Sequence, residues 1–187
     1  MSGLVGLDEV GRGCWAGPLV AGAVLLRQPL AGLKDSKQLS ARQRERLSLL
    51  IYEQAAATGL GWVFPVEIDR LGLTASVGLA MRRAIEQIKV GYDEIIIDGN
   101  FNFFPTDPRA KTIIKADALV PAVSAASIIA KVARDRYMTL AAEQYPGFGF
   151  ERHVGYGTAE HLLALKNLGI TPEHRQSYRP IRTIMGV

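Results

Sequence analysis

The chain has 187 residues, of which 48% are hydrophobic and 21% are charged, with a formal net charge of +4. This is an ordinary globular composition, and it excludes collagen-like, coiled-coil and disordered proteins. The single cysteine, Cys14, excludes a disulfide framework and a cysteine-rich zinc site, and it favours a reducing compartment. The longest apolar run, residues 19–26, is too short to cross a membrane, and acidic residues interrupt the N-terminal run before a signal peptide could form. We therefore expect a cytoplasmic protein with no membrane partner.

The first third of the chain predicts three strands and one helix. Residues 4–8 and 19–26 are strand candidates, which would pair antiparallel if they form a hairpin. Ser40 is a candidate N-cap for a helix that runs to about residue 57. Residues 59–66 are the third strand candidate.

The rest of the chain alternates helices with strands, which predicts a mixed sheet with helices packed on it. The predicted elements are a helical turn at 66–69, a helix capped by Thr74 and running to 88, strands at 94–98 and 111–115, a long helix from Pro121 to about 143, an irregular stretch at 145–158, a helix at 159–168 and another near Pro172.

Acidic residues stand at the ends of three of these strands. Asp8 and Glu9 end the first strand, Asp98 ends the isoleucine-rich strand, and Asp117 follows the strand at 111–115. In open sheets, ligands bind outside the carboxyl ends of the strands, so these acids could converge into one cluster. Such a cluster repels itself unless cations neutralise it, and carboxylates are the ligands that Mg²⁺ takes. Each acid alone could equally be a strand end or a turn residue.

The pair Asp8-Glu9 raises a geometric difficulty. Neighbouring residues of a regular strand point to opposite faces, so both could not reach one metal cluster from an ideal strand. We therefore predict that the strand ends or distorts at Asp8, with Gly11 and Gly13 permitting the change of direction.

Basic residues outnumber acidic ones in two stretches, residues 27–46 and 151–182. Basic flanks around an acidic centre suit a polyanion held beside metal ions. A solvated helix face after Ser40 would explain part of the first stretch equally well.

Taken together, the motifs closely resemble bacterial ribonuclease HII, in the family's order and over nearly the whole chain. The motifs are residues 6–18, residues 35–40 (DSKQLS), residues 97–99 (IDG), residues 115–117 (KAD), residues 124–135 (SAASIIAKVARD) and residues 153–156 (HVGY).

The resemblance implies an α/β protein with an RNase H-like fold, in which the first three strands are antiparallel and the later strands are parallel. It implies one catalytic domain, residues 1–187, with a C-terminal helical subdomain at roughly 145–187. The implied activity is hydrolysis of RNA in RNA–DNA hybrids and cleavage 5′ of single ribonucleotides in duplex DNA, leaving a 3′-hydroxyl and a 5′-phosphate, in the service of ribonucleotide removal. We expect a monomer.

The resemblance also assigns roles to individual residues. The catalytic, metal-binding acids would be Asp8, Glu9, Asp98 and Asp117, holding two Mg²⁺ or Mn²⁺ ions. The substrate contacts would be Gly11, Arg12 and Gly13 as the reader of the 2′-hydroxyl, Ser36 and Lys37 at phosphates, and Tyr156 as a platform for the neighbouring sugar.

Two residues depart from the family pattern. Members often carry Lys where this chain has Val154, and a residue other than Gly where it has Gly157. We expect the first change to remove a positive charge that could contact a phosphate, and the second to loosen the loop that holds Tyr156. Lys131 and Asp135 are predicted to form a helical ion pair. His153, His161 and His174 are too scattered in the sequence to predict a zinc site.

Three alternatives remain at this stage. Ribonuclease HIII usually carries an additional N-terminal domain, for which seven residues before Asp8 leave no room. A non-catalytic hybrid-binding protein on the same fold could lose an acid without penalty, yet all four are present. A phosphate-binding ATPase would need a P-loop, which the sequence lacks.

Overall fold

The computed structural model describes residues 3–28, 30, 32–33 and 39–186, and in these residues it contains five strands and eight helices. The strands are β1 (Leu4–Val10), β2 (Leu19–Leu26), β3 (Ala57–Val63), β4 (Glu94–Asp98) and β5 (Ala110–Ile113). The helices are α1 (Ala41–Gln54), α2 (Pro65–Leu71), α3 (Leu73–Ile85), α4 (Ala116–Leu119), α5 (Pro121–Gln144), α6 (Phe150–His153), α7 (Ala159–Leu168) and α8 (Arg179–Met185).

The five strands form one mixed sheet in the order β3-β2-β1-β4-β5. The pairs β1–β2 and β2–β3 are antiparallel, whereas β1–β4 and β4–β5 are parallel. The predicted α/β fold is therefore confirmed. Because β1 and β4 run parallel at the centre, their carboxyl ends lie at the same edge of the sheet.

Helices cover both faces of the sheet. On one face α3 packs over a core that includes Leu7, Ile97 and Met81. On the other face α5 lies against β1 and β2, and two glycines allow this close approach. A Cβ on Gly6 would lie 2.2 Å from the backbone of Ala122, and one on Gly22 would lie 2.3 Å from the carbonyl oxygen of Ala126. The long helix α5 is thereby held directly against β1 and β2.

The chain after α5 has an apolar core of its own. Phe150 and Leu165 pack there with Met138 from the end of α5, Ile181 from α8, and Ala16 from the loop after β1. The predicted C-terminal helical portion is confirmed, and Ala16 shows that it is joined to the loop that follows the first strand.

Three predicted bounds are wrong. Helix α1, which Ser40 caps as predicted, ends at Gln54 because the N–H of Ala56 already donates to Leu25 of the sheet. Strand β3 ends at Val63, since Pro65 begins α2. Strand β5 ends at Ile113, two residues before the predicted end.

Two further predictions about helix ends are wrong. Thr74 does not cap α3, which begins at Leu73 after Gly72, a residue with a positive φ of 78° that separates α2 from α3. Near Pro172 there is a turn and an isolated bridge between Ala16 and His174 instead of a helix.

Candidate active site

A pocket opens at the edge of the sheet where β1 and β4 end. It is lined by Asp8, Glu9 and Asp98, by residues 11–13, by Tyr156, and by three residues of the helices. Three of the four predicted acids and four of the predicted substrate contacts therefore share one cavity.

Asp8 is the buried member of the acidic group, with 7% of its surface exposed. Burial, together with the neighbouring charges of Glu9 and Asp98, raises its pKa well above the ordinary value, whereas a hydrogen bond with Ser127 of α5 opposes that rise. Its carboxylate also accepts a hydrogen bond of 2.8 Å from the N–H of Glu9. A buried carboxylate beside two others is electrostatically costly, and a bound cation would remove that cost.

The predicted distortion of the first strand at Asp8 is wrong. Pairing with β2 continues in register through Val10, with Asp8 opposite Gly22 and Glu9 opposite Ala21. The two acids therefore project to opposite faces, as alternation requires. Both still line the pocket, because the parallel pairing with β4 has ended at Leu7 and the cavity extends over the edge of the sheet.

Glu9 contacts the basic residue of the neighbouring turn. Nη1 of Arg12 lies 3.1 Å from Oε1 of Glu9, and the guanidinium is otherwise largely exposed. Burial raises the pKa of Glu9, and the charge of Arg12 acts against this. The Arg12 guanidinium therefore already pairs with one carboxylate of the group.

Asp98 and Asp117 are connected through a single backbone group. Asp98 accepts a hydrogen bond of 2.7 Å from the N–H of Ala116, the residue before Asp117. Asp117 is 6% exposed and lies on the four-residue helix α4, just after Lys115, whose φ is 60°. It does not line the pocket with the other three acids.

The donor set of this group suits a hard divalent cation. All the donors are carboxylate oxygens, and Mg²⁺ typically takes one or two carboxylates and completes its shell with water and phosphate. Among the residues that the structure describes, no group of three or more His, Cys, Asp or Glu side chains already forms a metal cage. The four-acid metal cluster accordingly stays a prediction, supported by the carboxylate donors and by their mutual repulsion.

Three other residues that line the pocket were not predicted as site residues from the sequence. They are Ser127 and Lys131 of α5, and Arg44 of α1. Lys131 also forms the predicted ion pair with Asp135, at 2.5 Å, and Asp135 lies 3.9 Å from Arg44. The intervals of four between Ser127, Lys131 and Asp135 place them on one helix face, and this was the signal available in the sequence.

The reading loop, which we define as residues 11–13, lies directly beside Tyr156. A Cβ on Gly13 would be 3.9 Å from Cε1 of the Tyr156 ring, and Gly11 has a φ of 91° that a side chain would disfavour. The Cys14 thiol lies within hydrogen-bonding reach of the Tyr156 hydroxyl, and burial raises the pKa of both groups. Cys14 is fully buried. The predicted phosphate contacts, Ser36 and Lys37, lie outside the described residues.

Gly157 makes room for an aromatic ring. A Cβ at this position would lie 2.1 Å from the Trp15 indole, which itself lies against the ring of His161 at a centroid distance of 5.6 Å. The absence of a side chain thus permits close packing between the Tyr156 loop and the loop after β1, a role that differs from the loosening expected from the sequence. Val154 has a φ of 42°, which is unfavourable for a β-branched residue.

The three histidines are brought together, although they are far apart in the sequence. The rings of His153 and His161 stack at a centroid distance of 4.5 Å, and Nε2 of His161 lies 3.0 Å from Nε2 of His174. Their remaining ring nitrogens face backbone groups. The cluster is a hydrogen-bonded structural unit, because its nitrogens are already engaged and do not point at a common ion.

Comparison with known proteins agrees with this geometry. A sequence model of the family described as ribonuclease HII matches residues 5–181. The chain belongs to the ribonuclease HII family. A ribonuclease HII of Halorhodospira halophila is 49% identical over 186 residues, covering 98% of this chain and 95% of the relative. As a member of the ribonuclease HII family, the protein is an endoribonuclease with RNase H activity on RNA–DNA hybrids, and RNase H enzymes use divalent metal ions.

Solved structures support the same conclusion. The ribonuclease H2 of Pyrococcus horikoshii OT3 superimposes with a TM-score of 0.82 at 28% identity, covering 98% of this chain and 97% of the other. The ribonuclease HII of Archaeoglobus fulgidus, solved in complex with PCNA, gives a TM-score of 0.83 at 28% identity, covering 97% of this chain and 96% of the other. None of the helices in the described residues is long and apolar enough to span a membrane.

Proposed function

We propose that the protein, in addition to its RNase H activity on RNA–DNA hybrids, cuts duplex DNA immediately 5′ of an embedded ribonucleotide. The observation that carries this proposal is the single pocket in which Asp8, Glu9 and Asp98 lie beside the reading loop and Tyr156. The product ends would be a 3′-hydroxyl on the upstream strand and a 5′-phosphate on the ribonucleotide. Such an activity would serve ribonucleotide removal from DNA.

The four acids would hold the metal ions of the reaction, which we propose to be two Mg²⁺ or Mn²⁺ ions. The chemistry that a bound pair supplies is activation of a water and stabilisation of the leaving 3′-oxygen. Asp8, Glu9 and Asp98 supply carboxylates from the pocket wall, and Asp117 would join them from α4. No side chain needs to act as a nucleophile.

Recognition of the ribonucleotide is assigned to the reading loop and to Tyr156. The 2′-hydroxyl is the group that distinguishes RNA from DNA at a given site, and it can both donate and accept a hydrogen bond. Gly11 and Gly13 carry no Cβ, so their backbone groups can approach the sugar closely. The half-exposed ring of Tyr156 offers a flat surface for the neighbouring sugar.

The basic residues of the pocket suit the phosphate backbone. Lys131 and Arg44 line the cavity beside the acids, and both are tied to Asp135. Ser36 and Lys37 are proposed to contact further phosphates, as the family resemblance implies. The monomeric state, the cytoplasmic location and the division of the chain at about residue 145 stay predictions.

The proposal is tested with four labelled substrates of one sequence: an RNA–DNA hybrid, a DNA duplex with one ribonucleotide, an all-DNA duplex and an all-RNA duplex. We expect the first two to be cut with Mg²⁺ or Mn²⁺, and all four to remain intact in EDTA. Cleavage of the all-DNA duplex, or of the hybrid in EDTA, would contradict the proposal.

A further inference from the structure

Residues 171–178, which we call the C-terminal segment, contact the backbone of both proposed recognition elements. The segment follows α7 and lies against the loop after β1, where the N–H of Arg175 donates to Trp15 and the N–H of Gly17 donates to Glu173. Two consecutive side chains, His174 and Arg175, leave it in different directions and are almost completely buried.

Arg175 fixes the reading loop. Its guanidinium donates two hydrogen bonds to the carbonyl oxygen of Gly17, at 3.1 and 2.9 Å, and one to the carbonyl oxygen of Arg12, at 3.1 Å. The Tyr178 hydroxyl donates to the same Arg12 oxygen at 2.7 Å and accepts from Arg175 at 2.9 Å. The central peptide of the reading loop is therefore held from below by two side chains of the C-terminal segment.

His174 fixes Tyr156 through His161. The backbone N–H of Thr171 donates to Nδ1 of His174 at 2.8 Å, so the proton of His174 is on Nε2. Nδ1 of His161 lies 2.9 Å from the carbonyl oxygen of Tyr156, which can only accept, so His161 carries its proton on Nδ1. Nε2 of His174 then donates to Nε2 of His161. Each donor in this chain has one acceptor, and the last acceptor belongs to Tyr156.

The two recognition elements are also joined to each other. The carbonyl oxygen of Gly155 accepts hydrogen bonds from Trp15 at 2.8 Å and from Ala16 at 3.3 Å. The buried guanidinium of Arg134 connects the same parts, because it donates to the carbonyl oxygens of Val154 and Ala16. A displacement of the C-terminal segment would therefore act on both elements and on the contacts between them.

We propose that Arg175 and the His174–His161 pair are positioning residues that set the spacing between the reading loop and Tyr156, and thereby the preference for a single ribonucleotide in duplex DNA over a continuous hybrid. The inference rests on the proposed function of these two elements. None of the three side chains lines the acidic pocket. They would therefore act through the backbone of the reading loop and of Tyr156. Small displacements of a positioned group can cost about a hundredfold in rate.

The test compares kcat/KM for a duplex with one ribonucleotide and for a continuous hybrid of the same sequence. His161→Leu removes the donor to Tyr156, whereas His161→Asn can retain a donor near the position of Nδ1 and serves as its matched control. Arg175→Lys keeps the charge and loses the forked contact, and Arg182→Lys, at an exposed position of α8, is its control.

We define the preference as kcat/KM on the single-ribonucleotide duplex divided by kcat/KM on the continuous hybrid. We expect His161→Leu and Arg175→Lys to lower this ratio by about tenfold or more, mainly through a loss on the single-ribonucleotide duplex. The two controls should leave the ratio within about twofold. If Arg175→Lys does not fold, Tyr178→Phe tests the same contact, with an expected loss of about threefold or more, because the hydroxyl makes two hydrogen bonds.

Equal losses on both substrates, or an unchanged ratio in folded variants, would overturn the inference and indicate a structural role alone. Circular dichroism and thermal unfolding of each variant establish the folded fraction. If the unchanged protein cuts the hybrid but not the single-ribonucleotide duplex, the proposed function fails instead, so the two failures are distinguishable.

Discussion

The acidic pocket and the C-terminal segment both contain buried polar groups, but these groups have different neighbours in the two regions. In the pocket, Asp8 is buried beside two other acids, and its pKa is raised. In the segment, Arg175 and His174 are equally buried, yet their donors meet backbone carbonyls and a neighbouring ring nitrogen. Neighbouring carboxylates repel one another unless a cation is bound, whereas hydrogen-bonded donors make a region rigid. We infer from this difference that the pocket is suited to cations and that the Arg175 and His174 contacts maintain geometry.

The largest effect is expected from a substitution in the acidic pocket. Asp98→Asn should lower cleavage of both substrates by about a thousandfold or more, because a charged metal ligand is lost. The fold should persist, since the Asn side-chain oxygen can still accept from the N–H of Ala116. Single-turnover cleavage measures the effect, and Asp107→Asn, which removes a surface acid between β4 and β5, is the control. Activity retained by Asp98→Asn at saturating Mg²⁺ would contradict the metal role.

Low pH should destabilise the folded protein through the His174–His161 pair. Burial lowers the pKa of His161 and of His174 to about 4. Unfolded histidine titrates near 6.5, so between these values the unfolded chain binds more protons and the free energy of unfolding falls as the pH falls. This contribution is complete above about pH 6.5 and is lost towards pH 4, at roughly 3 kcal/mol at most for each of the two rings.

Urea unfolding at pH 7.5 and pH 4.5 measures that loss. A variant with both His161→Asn and His174→Asn lacks the two titrating rings and should lose clearly less stability over the same interval. An identical pH dependence in the double variant would show that other groups cause the acid sensitivity.

A smaller stabilisation should accompany metal binding in the pocket. A ligand that binds only the folded state at a hundred times its Kd adds about 2.7 kcal/mol. The melting temperature should rise with Mg²⁺ or Mn²⁺, and it should rise less in Asp98→Asn, because one carboxylate is gone. A sample with NaCl at the same ionic strength is the control for general salt effects. Equal rises in both proteins would place the ions elsewhere.

The smallest effect concerns the strained residue near Tyr156. Val154→Asn should stabilise the protein by about 1 kcal/mol, because Asn tolerates a φ of 42° better than a β-branched residue does. The exposed Val66, in α2, provides the control substitution Val66→Asn. Chemical denaturation compares the two, and destabilisation by Val154→Asn equal to that of the control would mean that apolar packing outweighs backbone strain.

Local patterns in the sequence predicted most of the sheet and the acids at its edge. The isoleucine run of β4 and the capping residue Ser40 carry their signals within a few residues, and both were identified. The pairing of β1 through Val10 was not predicted, because the antiparallel partner that keeps Glu9 in register is more than ten residues away.

The contacts of the C-terminal segment could not be predicted from the sequence. His161 and His174 are separated by 13 residues, and their contact depends on the turn after α7 and on the bridge between Ala16 and His174. Likewise Arg175 reaches the reading loop across more than 150 residues of chain. No periodicity records such contacts, so they could be found only from the folded structure.

The most direct test of this account is to map the cut in a labelled DNA duplex that contains one ribonucleotide, at single-nucleotide resolution, with Mg²⁺, Mn²⁺ or EDTA. We expect a metal-dependent cut immediately 5′ of the ribonucleotide, with a 3′-hydroxyl and a 5′-phosphate at the ends. A cut on the 3′ side, or an intact duplex under conditions in which the hybrid is degraded, would contradict the proposed reading of the ribonucleotide by the loop of residues 11–13 and Tyr156.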